Sequence, residues 1–541
     1  MTEKFEIVSI SWERLYLSLD VRSESSHLVE FAFKNIKTGK KTSFLHTLLE
    51  NDIYRIRVNL STIEPSGFLE NGKWVLCAYT SDESYECSVS EETALQFDDL
   101  SRIFRYGHLN YSYTVTFSVR TDNIDSLFFV MHSVFMKVNK HWKRRDFFEG
   151  GGFGPQIIKG LFKYCYLGFT CFIYKFFRFF SFKKEKNILM MSDSKIELSG
   201  NLKAIDERLK YRGLDKEYHI SYYFNKNKVR KLSRFTERIK QIKLISKQNF
   251  IFVDDVSPTF YQFNLDPKVI LVQVWHAGGG FKAVGYARFG KNGTPYPFRS
   301  FHRKYTHAIC PSENLAEVFQ EMFGISEEKM VPTGMPRADG FLNEIKMEEY
   351  TNYFYKENPQ MINKKIILFA PTFRGNGETE ATYDFDIVDL DRIFDFCGEE
   401  YVFIIKMHPF IKASFEIPER VRSRIFNFSK ESNINDLFYV TDLLITDYSS
   451  CYYEFALLNK PMLFFTYDRV LYELTRGVYQ DVKLSAPGKV CDSFEELVEA
   501  LINKDYEYWK VAEFIKNNFG DTDKNASDEV IDRIILSRTD K

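Results

Sequence analysis

The C-terminal half of the chain sets reactive side chains directly behind apolar runs, at four separate places. His276 closes "VILVQVW" and is followed by Gly278, Gly279 and Gly280. Arg374 follows "IILFAPTF", while Lys406 and His408 close "YVFIIKMHP". Thr446, Asp447, Ser449 and Ser450 follow "LLI" and precede an amphipathic run that carries Glu454. One histidine behind a strand is more often structural than catalytic. Four strand ends bearing His, Arg, Lys, His and a hydroxyl-rich turn converge on one cleft if the strands belong to facing α/β sheets.

Cations, imidazoles, hydroxyls and free backbone N–H groups together suit a diphosphate. A helix start behind "TDYSS" would add positive potential, and the glycines would let the backbone approach phosphates closely. Asp447 reads first as a turn or capping residue. Glu454 is placed to accept hydrogen bonds from a ribose. Asp254 and Asp255 in "VDD" read as a strand-to-turn cap, and no metal is assigned. Gly278, Gly280 and Ala283 also fit a G-x-G-x-x-[G/A] dinucleotide fingerprint. The acidic residue expected about 20 positions later is missing, since Gly293 to Phe301 holds none.

The elements that must hold these residues follow from hydrophobic periodicity. From Asn187 onward, short apolar runs such as "NILMMS", "NFIFVDD" and "KPMLFFTY" alternate with amphipathic stretches such as "NLAEVFQEMFGI". Strands apolar on both faces, separated by helices, predict doubly wound parallel sheets with ligands beyond the strands' carboxyl ends. Two such sets are expected, at 187–345 and 346–541. Residues 1–148 carry alternating segments ("FEIVSISWERLYLSLDV", "YSYTVTFSVR") with no reactive cluster, which predicts a small β-rich accessory domain. Residues 149–186 combine a glycine-rich linker with an aromatic run studded by Lys159, Lys163, Lys175, Arg178, Lys183, Lys184 and Lys186. Its longest uncharged stretch, Tyr164 to Tyr174, is about half of the ~20 residues that span a bilayer. It therefore predicts a basic amphipathic helix lying on an anionic membrane surface.

Composition narrows the class. The 541 residues carry a net charge of −1, which gives no general case for a nucleic-acid partner. Aromatics reach 17%, with 53 Phe and 32 Tyr. The eight cysteines are scattered with no C-x-x-C pair, so neither disulfides nor zinc is expected. The opening "MTEKFEIVSISWERLYLSLDV" lacks the layout of a signal peptide, and the protein reads as cytosolic.

The motifs "VWHAGGGFKAVG", "PTGMPRAD", "APTFRG", "KMHP" and "ITDYSSCYYEFALLNKP", in that order, resemble the CDP-glycerol glycerophosphotransferase family of teichoic acid primases and polymerases. The resemblance covers residues 187 to 535 and is nearest to the polymerase branch. It implies a GT-B-type pair of Rossmann-like domains at the cytoplasmic face of the membrane, working as a peripheral enzyme without a cofactor. The implied reaction moves polyol phosphate from CDP-glycerol or CDP-ribitol to a lipid-linked acceptor and releases CMP. His276 resembles the family's proposed general base, and His408 the histidine that stabilises the diphosphate. Arg374 and the turn Thr446–Ser450 resemble its phosphate-binding elements. Gly278, Gly279, Lys282, Arg337, Lys406 and Glu454 are expected to bind substrate. Two rivals stay open: a glycosyltransferase using a nucleotide sugar, and a non-catalytic glycopolymer-binding protein.

Overall fold

Buried β-branched and aromatic runs become the centres of three sheets. The computed structural model describes residues 4–538 except 24–29, 50–51, 65–66, 81–82, 107–110, 122–126, 138–152, 182–185, 225–230, 262, 277–278, 280–283, 289–301, 376–377, 412–414, 431–432, 476–479 and 520–524. Residues 5–137 build a mainly antiparallel sheet of twelve strands among the described residues. Its core is aromatic-rich, with Phe31, Phe33, Trp74, Tyr113 and Phe129 fully buried.

Two six-stranded parallel sheets follow. The first contains β1 (Asn187–Ser192), β2 (His219–Phe224), β3 (Phe250–Val253), β4 (Ile270–Gln273), β5 (His307–Cys310) and β6 (Met330–Pro332), in spatial order 2-1-3-4-5-6. The second contains β7 (Lys365–Phe369), β8 (Tyr401–Ile405), β9 (Ile425–Asn427), β10 (Leu443–Thr446), β11 (Met462–Phe465) and β12 (Lys489–Cys491). Its order, 9-8-7-10-11-12, reverses between β7 and β10. Such a reversal opens a crevice at the strands' carboxyl ends. Every residue of β1, β3, β8, β10 and β11 is buried, which explains why the sequence shows runs there and not alternation.

The helices obey the complementary rule. In α3 (Glu313–Phe323), Leu315, Val318, Phe319, Met322 and Phe323 are buried at helical spacing. Gly324 (φ 61°) ends that helix with its N–H on the Gln320 carbonyl. The outer face of α3 receives the N-terminal sheet: Arg14 pairs with Glu321 at 3.0 Å, and Tyr16 donates to Gln320 at 3.0 Å. Arg303 joins the same seam, donating to the Tyr286 hydroxyl and the Ser61 carbonyl, both at 2.8 Å.

The last residues depart from the boundary expected at 346. The segment Ala526–Arg538 packs against the first parallel sheet, where Val530, Ile531, Ile534 and Ile535 join Ile188, Met190 and Leu202 in one core. Asp528 pins it to Arg208 and Arg212, and Asp339 accepts from the Ala526 and Ser527 N–H groups at 2.9 and 2.7 Å. No local pattern says which of the two sheets this segment returns to.

Helix α1 (Phe153–Phe180) lies on the first unit through Thr170, Tyr174 and Arg178. Tyr174 stacks on Phe263 at 4.7 Å, and Arg178 donates to Asp266, the Ser246 carbonyl and the Gln248 carbonyl. Arg178, read as a surface base, thus points inward and docks the helix. The opposite face exposes Phe169, Phe172, Phe176, Phe179 and Phe180. Lys159 and Lys163 have side chains outside the described set, as do Lys183 and Lys184 entirely. Among the described residues no helix is long and apolar enough to cross a membrane.

Candidate active site

His276 sits three residues past β4, on a backbone held by buried amide side chains. Asn201, at the start of α2 (Gly200–Tyr211), donates to the Val274 and Trp275 carbonyls at 2.7 and 2.9 Å. Its own oxygen accepts the Arg337 N–H at 2.9 Å. These bonds hold Trp275 in the left-handed region (φ 51°), a conformation costing a bulky residue of order 1–3 kcal/mol. The turn aims the imidazole back across the sheet, where Nδ1 meets the Asp254 carbonyl at 3.2 Å. A carbonyl only accepts, so Nδ1 carries the proton and Nε2 keeps its lone pair. The side chain is 42% exposed, open enough for a substrate hydroxyl to reach it. Desolvation lowers its pKa, Lys195 and Arg337 push the same way, and Asp255 with the Asp254 carbonyl opposes them.

Arg337 opens α4 (Pro336–Phe341) and couples the two units. It donates to the His276 carbonyl at 2.5 Å and forms an ion pair with Glu454, which is 4% exposed and belongs to α5 (Tyr452–Ala456). Burial lowers the guanidinium to about 10, which leaves it protonated at neutral pH. Glu454, expected at a ribose, is therefore engaged with Arg337. Gly279 lies against the ring of Tyr453 on the same helix. A Cβ there would fall 2.0 Å from Tyr453 Cζ, so this glycine admits an aromatic ring across the seam. Gly278 and Lys282 lie outside the described residues.

On the second sheet, Arg374 differs most from expectation. Its guanidinium donates to Asp468 at 2.6 and 2.9 Å, to Asp447 at 2.8 Å and to the Thr372 carbonyl at 2.6 Å. Tyr383, Tyr448, Tyr467 and Tyr472 surround it at 5.1–5.5 Å. Burial works to lower its pKa, but Asp447 and Asp468 outweigh it and hold the charge firmly. Four of the five guanidinium N–H groups are spent. Arg374 thus shapes the Thr446–Ser450 turn and has little left to bind with. Asp447 is fully buried and accepts the Thr372 and Tyr448 N–H groups at 2.7 and 2.6 Å, a turn-capping role. Thr446 spends its hydroxyl on the Ala370 carbonyl at 2.7 Å.

Ser449 and Ser450 remain half-buried at the end of β10. The helix behind them has only five residues, so its dipole adds less than the sequence pattern implies. Lys406 is buried, with Nζ on the Ser429 carbonyl at 3.2 Å. His408 packs against Phe373 and Phe410, and its Nδ1 accepts the Phe410 N–H at 3.2 Å. An accepting Nδ1 requires the proton on Nε2. The two histidines are thus held as opposite tautomers, His276 with its lone pair on Nε2 and His408 with its proton there.

Sequence reading missed Asn201, Asp468 and the tyrosine cage. Asn201 sits in "SGN" behind β1, a strand-to-helix start that was visible but carried no reactive signature. His302 is buried beside Arg303, with its ring against Phe323 and Tyr305. A cavity of about 630 Å³, lined by Tyr16, Arg57, Asn314, Trp509 and Asn517 among others, also lies apart from them.

Residues 173–536 match the family model of CDP-glycerol:poly(glycerophosphate) glycerophosphotransferases. The chain belongs to that family. It is 31% identical to the teichoic acid ribitol-phosphate polymerase TarL of Staphylococcus aureus, over 98% of each chain. It is 37% identical to the teichoic acid poly(ribitol-phosphate) polymerase of Bacillus spizizenii over 68% of this chain, and spans 59% of that protein's length. The solved wall teichoic acid polymerase TagF has the same fold, with a TM-score of 0.54 and 24% identity over 66% of this chain and 90% of that one. The glycerophosphotransferase family comprises CDP-polyol phosphotransferases, and this chain is one of them.

Proposed function

We propose that the protein is a ribitol-phosphate polymerase of teichoic acid synthesis, with its two parallel-sheet units forming a GT-B-type pair. It takes polyol phosphate from CDP-ribitol and passes it to the terminal hydroxyl of a lipid-linked acceptor. Full-length similarity to TarL favours ribitol over glycerol as the polyol.

The observation that carries the mechanism is the pair of opposite histidine tautomers. His276 Nε2 takes the proton from the acceptor hydroxyl, whose oxygen attacks the phosphorus bearing the polyol. The bond from that phosphorus to the bridging oxygen breaks, and CMP leaves with the electron pair. Charge growing on the diphosphate oxygens is met by the His408 Nε2–H, the Ser449 and Ser450 hydroxyls and the Lys406 ammonium, all fixed before reaction begins. Arg374 holds the turn that presents them. A base with a lowered pKa is unprotonated at neutral pH, as this step requires.

The exposed phenylalanine face of α1 supports a peripheral position on the inner leaflet, where a lipid-linked acceptor would be presented. The deciding experiment measures CMP release with CDP-ribitol and CDP-glycerol in parallel, using a lipid-linked acceptor analogue. Acceptor-dependent release from CDP-ribitol is expected. Release from CDP-glycerol alone would reverse the polyol assignment, and a glycosidic product from a nucleotide sugar would replace the reading.

A further inference from the structure

Resting on the reading of His276 as the base, we infer that Asp255 is its positioning residue, a carboxylate placed to stabilise the imidazolium that forms as the acceptor hydroxyl gives up its proton. The topology brings the two together. β3 and β4 are parallel neighbours, with Val253 opposite Gln273. Asp255 lies two residues past one strand and His276 three past the other, on the same edge of the sheet. The Asp255 carboxylate stands 3.9 Å from His276 Nδ1.

Its own position is fixed from both sides. Oδ1 accepts the Val256 N–H at 2.6 Å, and the Asp255 carbonyl accepts from Gln273 Nε2 at 3.2 Å. Gln273 is fully buried, and its other amide atom accepts the Trp275 N–H at 2.8 Å. One side chain thus holds both the backbone of Asp255 and the strained residue before His276. The hydrogen bond from Nδ1 goes to the Asp254 carbonyl, so Asp255 acts through charge across 3.9 Å.

The charges facing the imidazole make that carboxylate matter. Lys195, from the loop after β1, and Arg337, from α4, both disfavour a proton on the ring. The Asp254 carboxylate is tied to Lys195 at 2.8 Å, and Glu454 is tied to Arg337. Asp255 carries the opposing charge, with the Asp254 carbonyl beside it. A base in this setting is unprotonated at rest. It still needs negative charge nearby at the moment it becomes cationic, the role a carboxylate fills beside a catalytic imidazole.

The test follows the His276 imidazole by NMR titration in the full-length protein, with its resonance assigned by loss in H276A. CMP release is measured alongside. In D255N the His276 midpoint should move to lower pH, and the acid limb of kcat should move with it. kcat should fall about ten- to a hundredfold, less than for a hydrogen-bonded triad because of the distance and the partial exposure. KM for the CDP-polyol should stay within about twofold, since Asp255 acts on charge formed only in the transition state. D255E should recover most of the rate. In an H276A background, D255N should cost nothing more. A folded D255N whose titration midpoint is unmoved overturns the proposal, as does an undiminished D255N penalty in H276A. A midpoint that moves while the acid limb stays fixed establishes the pairing but removes His276 as the base, which separates the two failures.

Discussion

Replacing Arg374 separates a phosphate ligand from a structural keystone. The guanidinium spends four N–H groups on Asp447, Asp468 and the Thr372 carbonyl, and its side chain is 16% exposed. Arg374→Ala would strand two carboxylates whose side chains are 1% and 13% exposed. Breaking a buried ion pair from one side costs about 3–5 kcal/mol, and two stranded partners place this case at the upper end. The cage of four tyrosines adds a smaller loss, about 0.5–1 kcal/mol for each ring that truly packs. For a unit of this size each kcal/mol lowers Tm by about 2–4 °C, so the second unit should melt roughly 10–20 °C earlier. Calorimetry reads that directly, and isothermal titration with CDP-ribitol reads binding on the material that stays folded. Replacing Arg374 by Met together with Asp447→Asn and Asp468→Asn should recover part of the stability, because no uncompensated charge remains. An Arg374→Ala protein that melts within about 2 °C of wild type, yet loses CDP-polyol affinity a hundredfold, would refute this reasoning and return the residue to the phosphate.

Other outcomes follow from the seam between the units. Gly279→Ala would drive a Cβ into Tyr453, so transfer should fall at least about tenfold with little change in Tm. Adding Tyr453→Ala should restore part of it, and full turnover in Gly279→Ala alone would show that the close approach is dispensable. Glu454→Gln leaves the buried Arg337 charge without its partner and should cost about 2–4 kcal/mol in a urea melt, with kcat falling as the His276 carbonyl contact loosens. Burial lowers the His302 imidazole to about 3. The unfolded chain therefore takes up its proton first, and stability should fall by about 1.4 kcal/mol per pH unit from pH 6.5 down to about 3, a slope that His302→Gln removes. Changing Phe172, Phe176, Phe179 and Phe180 to Ser should abolish sedimentation with anionic vesicles while leaving CDP-polyol binding intact. Retained sedimentation would place the membrane contact elsewhere.

What the sequence made legible divides along a physical line. Buried parallel strands announce themselves as apolar runs because both faces are covered, and so β1, β3, β8, β10 and β11 could be read directly. Residues placed just beyond such runs inherit that legibility, which is why His276, His408 and the hydroxyl turn stood out. What each side chain does there depends on partners far away in sequence. Arg374 is spent by Asp468, 94 residues on, and Glu454 by Arg337, 117 residues back. No local pattern encodes either pairing, and a lone arginine behind a strand looks the same whether it meets a phosphate or two carboxylates. The assignment of the last residues to the second unit fails for the same reason, since apolar residues at 530–535 fix burial but not which sheet receives them.

That division also orders the site. The groups that carry the proposed chemistry, His276 Nε2, the His408 Nε2–H and the Ser449–Ser450 turn, are those whose local hydrogen bonds fix a tautomer or a backbone. The groups that looked strongest by charge are used up in holding them. Donors and bases that must not move while charge develops need neighbours that cannot move either. Arg374 and Glu454, which looked strongest by charge, are therefore the ones the fold consumes, and the proposed chemistry falls to the imidazoles, the hydroxyl turn and Lys406.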